Sequence, residues 1–560
     1  MIKNILNSQT KTVTFAAFLL AVSSLISRIL GLFRDRLLAG SFGAGEELDI
    51  YFAAFRIPDF VYGILIAGGI TAAFLPVFSE YFQGDEENRK WSPQALEFAS
   101  NTLNCFLFLL VLICGILAVF APQLIKFIIP GFSPENRDLT ITLTRIMFLS
   151  PILLGLSSIF SGILHYFNRF LAYSLAPILY NIGIIIGILF FVPIFGIYGL
   201  AYGVILGAFL HLIVQIPIAK IAGYEYRPVF NFGFPGIKKV FKLIIPRIIG
   251  STAYHINLVV ITAIASTLTV GSIAIFNFSN NLQHFPIGII GISFAVSAFP
   301  VFSRILANGR RESFLHSFYS TFRQILFFIV PISFLMFLLR AQIVRLILGT
   351  GEFGWLETRL TAASLGIFCF GIFAGSLIPL LVRAFFALQD TKTPVIIGIA
   401  SMVINISLSF LFVFLLTSFG FFRNFFVSIL KLQGIQNIEV IGLPLALSLA
   451  SLFQLILLLI FLSQKMGGFE VKKNLQSLSK ILAASIIMIV PAYFIRQMLP
   501  GFFSISTLPG IFLQTALSAL IGVLIYILTV SILKSPELKA IKLSLLRQFV
   551  PQQDVDDLEN

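Results

Sequence analysis

Three ionisable residues crowd one apolar stretch: Arg28, Arg34 and Asp35 stand in TFAAFLLAVSSLISRILGLFRDRLLAG (14–40). An arginine at the centre of a membrane helix costs about 2.5–3.5 kcal/mol on insertion scales, so one that is kept must be paired, hydrated or within reach of headgroups. Arg28 is midway along the stretch, and Asp35 follows nearly two helical turns later, so Ser24, Arg28, Gly31 and Asp35 share a stripe. That stripe is expected to line a bundle interior or a water-filled cavity, with Arg34 about a third of a turn away. Its net-basic character suits an anionic cargo, above all a phosphate or diphosphate that guanidinium groups grip bidentately.

Other residues could join this chemistry. Arg247 follows Pro246 in KLIIPRIIGSTAYHIN (242–257), where the proline can kink a helix; the alternative is an arginine snorkelling to a nearby face. Asn281, in NFSNNLQHFP (277–286), is either a neutral cavity donor or a bridge between helices. Arg56 and Asp59 lie three residues apart and could pair, although Pro58 between them can bend the helix. Arg36, Arg145 and Arg323 fall near segment ends, where long side chains reach headgroups. His255 and His284 have no carboxylate near them in sequence and receive no role.

The elements that must position these residues are membrane helices. Of 560 residues, 58% are hydrophobic and 11% charged, against about 25% charged in soluble domains. The net charge of +14 resides mostly in short connections between apolar segments, which argues against nucleic acid as a partner. Cys105, Cys114 and Cys369 sit inside apolar runs and form neither a disulfide framework nor a metal motif, so no metal or cofactor is expected. The first apolar stretch lacks a small-residue cleavage site and reads as a retained helix.

Segments long enough to span number fourteen: near 14–40, 49–82, 95–120, 140–166, 172–192, 197–221, 237–268, 272–304, 317–340, 360–388, 393–416, 441–464, 478–497 and 509–533. The breaks at 192–197 and 268–272 are the weakest. Of the 38 Lys and Arg, 22 fall in connections on the side of the termini and 8 in those opposite, which places both termini of a multi-pass protein in the cytoplasm.

The chain also repeats itself. FLPVFSEYF (74–82) recurs as AFPVFSRIL (298–306) at an offset of 224, and HYFNRFLAYSLAP (165–177) is echoed by FALQDTKTP (386–394), each before a segment with an asparagine, Asn181 or Asn405. The expected architecture is therefore all-α and polytopic, with two six-helix lobes in parallel repeat around a central cavity. The lobes would be 1–225 and 226–466, followed by two added helices in 467–533 and a cytoplasmic tail, 534–560, that is either an interfacial helix or unstructured. Such a repeat points to transport by alternating access.

SRILGLFRD (27–35), FGAG (42–45), AFRIPD (54–59), TAAFLPVFSEY (71–81), FPIGIIGISFAVSAFPVFSR (285–304) and ALQDTKTP (387–394) occur in that order. Through them the chain resembles, over roughly 14–464, the MurJ/MviN lipid II flippases of the multidrug/oligosaccharidyl-lipid/polysaccharide exporter superfamily. The resemblance implies a fourteen-helix flippase of the bacterial inner membrane that carries undecaprenyl-diphosphate-linked peptidoglycan precursor outward without ATP hydrolysis; its expected partners are that lipid and the surrounding membrane lipids, and a monomer is expected. By the family pattern Arg28, Arg34 and Asp35 are first-helix cavity residues, Asp49 and Arg56 are charged positions on the second helix, and helices 13 and 14 form a groove for the lipid tail. Two customary cations are replaced, by Tyr62 and by Asn281; Arg247 is expected to restore part of that charge. Predicted helices 7, 11 and 12 contain no Asp or Glu, so membrane potential rather than a sodium site is the expected drive, at about 2.3 kcal/mol per charge per 100 mV.

Two rival functions remain. An exporter of another polyprenyl-diphosphate-linked glycan, such as an O-antigen, capsule or teichoic precursor, would satisfy the same charge argument. A polytopic glycosyltransferase could use Glu46, Glu47 and Asp49 of GAGEELD for a divalent ion, but no large external domain and no HExxH, GxSxG or Walker A motif accompanies them, so an enzyme is not expected.

Overall fold

The computed structural model describes residues 13–64, 71–82, 91–468, 471–502, 504 and 507–539; the side chains of 13–18, 71–72, 246–247, 249–251 and 471–474 lie outside this description. The described residues form helices and no strands. In chain order they are α1 (Val13–Phe42), α2 (Glu46–Val61), α3 (Thr71–Ser79), α4 (Pro93–Val119), α5 (Ala121–Ile128), α6 (Pro134–Met147), α7 (Leu149–Tyr166), α8 (Phe170–Ile186), α9 (Val192–Phe195), α10 (Tyr198–Ile213) and α11 (Ile216–Ile221). Then come α12 (Pro235–Ser266), α13 (Ser272–Pro286), α14 (Ser293–Ala307), α15 (Arg311–Ile347), α16 (Trp355–Phe368), α17 (Ile372–Ala387), α18 (Lys392–Ser418), α19 (Gly420–Leu430), α20 (Gly442–Met466), α21 (Val471–Met498) and α22 (Leu508–Ile532).

Several starts are written in the sequence. Ser92 accepts from the Ala95 N–H at 3.0 Å with Pro93 behind it, Ser133 from Asn136 at 3.3 Å with Pro134, and Thr507 from Gly510 at 3.3 Å. Each pairs an N-cap oxygen with a proline whose missing N–H costs nothing in the first turn. The two weakest sequence breaks are real: α9 ends at Gly196 (φ +58°) and α13 opens after Gly271 (φ +89°). A Cβ on Gly271 would stand 2.0 Å from the Ala44 carbonyl oxygen, so this turn admits only glycine.

Among the described residues ten helices are long and apolar enough to cross a membrane, or eleven if α16 and α17, bent by 47°, make one span. The polar residues of interest lie on α1, which carries Arg28, Arg34, Asp35 and Arg36, and on α2, which carries Asp49, Arg56 and Asp59.

The chain divides into two compact units, one running to Ile275 with Ile347–Glu357, the other comprising Phe276–Leu346 and the chain from Thr358. In the first, Phe74, Phe78 and Phe98 are fully buried, with ring centroids 4.9 and 5.6 Å from Phe74. A close backbone contact joins α10 to α8 and the π-helical turn that extends it (Gly187–Phe191), where Gly183 and Gly187 face Gly199, Gly203 and Gly207. A Cβ on Gly187 would lie 2.4 Å from the Gly203 Cα, and one on Gly183 would lie 2.3 Å from the Gly207 Cα. In a membrane, where lipid is as apolar as leucine, such backbone contact replaces the hydrophobic effect as the source of packing energy. Gly187→Val should therefore lower the folded yield and the melting temperature, costing about 1–3 kcal/mol by overpacking; thermal melting in detergent checks this.

In the second unit Phe302, Phe314 and Phe318 form part of the core. The last two helices are fastened to α15: the Tyr526 hydroxyl donates to the Phe327 carbonyl at 2.8 Å, and Glu537, 3% exposed, pairs with Arg323 at 3.2 Å while accepting from Ser477 at 2.6 Å. In the turn between α17 and α18, Asp390 accepts from Lys465 at 2.6 Å and from the Thr393 N–H at 3.0 Å. Partial burial alone would push the Asp390 carboxyl up, but these hydrogen bonds and the Lys465 charge hold it down at about 2. A carboxyl depressed in the folded state stabilises above its unfolded value near 3.9 and loses that contribution as pH falls toward 2. Lys465→Ala should flatten this acid limb, readable as a smaller fall in melting temperature between pH 4 and pH 2.

The sequence echoes have backbone counterparts. A π-helical turn follows α2 at 62–64 and another joins α13 to α14 at Ile287–Ile292, an offset of 225. Asn168 (φ 56°) and Gln389 (φ 59°), non-glycine residues in the left-handed region, end α7 and α17 at an offset of 221.

Candidate functional site

In the first unit α1 presents two polar faces. Ser23, Ser27 and Arg34 turn toward α8: the Ser23 hydroxyl donates to Ser174 Oγ at 3.1 Å, and Asn181 Nδ2 donates to Ser27 Oγ at 3.2 Å. Arg34 spends its fork locally, with Nη2 and Nε on Asp35 Oδ1 at 2.8 and 3.1 Å and Nη1 on Asn181 Oδ1 at 3.3 Å. Asp35 is 3% exposed, so its charge is compensated inside the protein. Arg28 is different. Half-buried on the next stripe beside exposed Ser24, it makes no hydrogen bond or ion pair among the described residues.

The second helix adds an acid and a base. Arg56, buried, donates from Nε to Thr262 Oγ1 of α12 at 2.6 Å. Asp59, half-buried, lies within electrostatic reach of both Arg56 and Arg34, as do Tyr51 and Tyr180 of Arg34 and Tyr254 of Arg56. Tyr62 closes α2 with Tyr173 and Asp59 nearby. Four helices, α1, α2, α8 and α12, thus bring two guanidinium groups, two carboxylates and five tyrosines together in a charge-balanced cluster, with Arg28 outside it on α1. Asparagine and phenol groups can orient an anion without adding charge.

Asp49 is used otherwise. It is 3% exposed, and its Oδ2 and Oδ1 accept from the N–H groups of Gly271 at 2.7 Å and Ala274 at 2.8 Å, capping the start of α13. That places a carboxylate at the positive end of a helix dipole. Arg247 belongs to α12, but its side chain lies outside the description. Asn281 belongs to α13 in the second unit, half-buried, next to Asn280, which accepts from Gln283 at 2.9 Å. Among the described residues no group of three or more His, Cys, Asp or Glu could hold a metal ion.

Asn181, Thr262, Tyr51, Tyr173, Tyr180 and Tyr254 were not singled out as site residues by sequence. Asn181 had a signal, since it is one of the two asparagines marking the repeat; the tyrosines have none, being scattered through apolar helices.

Comparisons with known proteins agree with this picture. The family model of the lipid II flippase MurJ matches residues 38–514. A probable lipid II flippase MurJ of Buchnera aphidicola subsp. Schizaphis graminum is 31% identical over 80% of this chain and 90% of its own length. A second, from Vibrio cholerae, is 30% identical over 72% of this chain and 78% of its own. Among solved structures, a lipid II flippase MurJ in an inward closed conformation matches with a TM-score of 0.72 and 26% identity, covering 92% of this chain and 98% of that one. A multidrug transporter of the MATE family, at 14% identity and a TM-score of 0.62, shares the fold. The chain belongs to the lipid II flippase MurJ family.

Proposed function

We propose that this protein is a flippase for lipid II, carrying the undecaprenyl-diphosphate-linked peptidoglycan precursor from the cytoplasmic to the periplasmic leaflet of the bacterial inner membrane by alternating access. The observation that carries the reading is a half-buried guanidinium, Arg28, left without a protein counter-charge among the described residues beside a compensated Arg34–Asp35 pair. A diphosphate supplies the missing negative charge and bidentate acceptors. On this reading Arg34, Asp35, Arg56, Asp59 and Tyr62 shape the anion site, and Arg247 and Asn281 contribute further contacts to the cargo.

The finer architecture belongs to the same proposal. The shorter and polar helices complete fourteen spans, arranged as six-helix repeats over 1–225 and 226–466 with two helices added, and both termini are cytoplasmic. The protein works as a monomer. An anionic headgroup moving outward leaves a negative interior, so membrane potential favours the transport direction by about 2.3 kcal/mol per charge per 100 mV.

Complementation tests the cargo. When the native lipid II flippase of a bacterium is depleted, expression of this chain should restore growth; failure with the protein confirmed in the membrane would transfer the reading to another polyprenyl-diphosphate-linked glycan.

A further inference from the structure

A second cationic cluster lies in the other unit. Arg340, on α15, donates from Nη1 to the Phe337 carbonyl at 2.9 Å and stacks over the Phe337 ring at 4.7 Å. Arg496, near the end of α21, donates from Nη1 to the next carbonyl of the same helix, Leu338, at 2.9 Å, and stacks over Tyr493 at 5.1 Å. The Arg496 carbonyl in turn accepts from Gln514 Nε2 of α22 at 2.8 Å. The Arg340 stem packs on α16, where a Cβ at Gly366 would be 2.8 Å from its Cδ.

Two guanidinium groups therefore converge on adjacent carbonyl oxygens of one helix. The charged or titratable groups within reach of Arg340 are Cys369 and Arg496, and neither arginine forms an ion pair among the described residues. Like charges held together at the edge of an apolar bundle repel each other strongly unless an anion joins them. Both side chains are half-buried, and each guanidinium has five N–H donors, more than its single carbonyl contact uses. The aromatic rings under the two groups hold their planes fixed, which prepares the forks for a tetrahedral oxyanion.

We propose that Arg340 and Arg496 form a binding site for a phosphate group, supplied by the headgroup of an anionic phospholipid, at the α15–α16–α21 junction. With the termini cytoplasmic, that junction meets the outer leaflet. The site joins α15 to the two C-terminal helices through a bound lipid as well as through protein contacts.

The test uses the full chain in detergent, titrated with dioleoylphosphatidylglycerol, dioleoylphosphatidylcholine or inorganic phosphate, and reads retained lipid by native mass spectrometry. Retention of phosphatidylglycerol should fall about tenfold in Arg340→Gln/Arg496→Gln and less in Arg340→Lys/Arg496→Lys, which keeps charge but loses the fork. Phosphatidylcholine retention should be unchanged. Displacement of phosphatidylglycerol by inorganic phosphate would support the shared phosphate chemistry with a free ion as a second source. Wild-type retention of phosphatidylglycerol in a folded double Gln or double Lys variant overturns the site. The Lys pair and the two single Gln variants preserve this comparison if the double Gln variant does not fold.

Discussion

Arg28→Ala should abolish complementation of a flippase-depleted strain while leaving the amount of folded protein in the membrane unchanged. The lost interaction is a charge-assisted contact with the cargo, about 1.5–3 kcal/mol, which corresponds to roughly a 10- to 100-fold loss of transport. Abundance should hold because Arg28 has no hydrogen bond or ion pair among the described residues, so its removal strands no buried partner. Arg34→Ala should behave differently: it leaves Asp35, 3% exposed, without its guanidinium, and the expected outcome is less folded protein as well as less transport. Arg28→Lys should fall between wild type and alanine, since an ammonium keeps charge without the planar fork. Lipid II accessibility in the outer leaflet, normalised to membrane protein, separates the three. Full activity of Arg28→Ala would remove the central support of the proposed function.

The second large effect concerns folding. Asp49→Ala should lower stability by about 2–5 kcal/mol, because the Gly271 and Ala274 N–H groups lose their acceptors and α13 loses an anion at its positive end. Asp49→Asn, which retains one acceptor oxygen, should recover part of that loss. Thermal melting of purified protein decides between this cap and a cargo contact. A cargo contact would give normal melting and defective transport in the asparagine variant; the cap gives depressed melting in both.

The all-helical, multi-span character was legible because membrane helices declare themselves by length and apolarity, and several helix starts because Ser–Pro pairs are local signals. The π-helical turns after α2 and α13, and the left-handed Asn168 and Gln389, show that the echoes extend to backbone geometry. The candidate site was legible in part. Spacing put Arg28 and Asp35 on one stripe, but it could not reveal that Arg34 takes up the Asp35 charge, because neighbours in sequence point around a helix and meet only through side-chain conformation. Nor could it separate Asp49 from the cavity charges, since its partners lie 222 and 225 residues away. The tyrosines near Arg34 and Arg56 were invisible for the same reason: their placement depends on which faces of α2, α8 and α12 meet.

The glycine seam between α8 and α10 also constrains motion. Backbones in such close contact cannot slide by one residue without driving a side chain into the opposing main chain. The two helices therefore travel as a single lever, and any rocking of the first unit must be absorbed at its breaks, such as the turn after α2, rather than between them. Spin labels placed on α8 and α10 should report one fixed separation throughout the transport cycle.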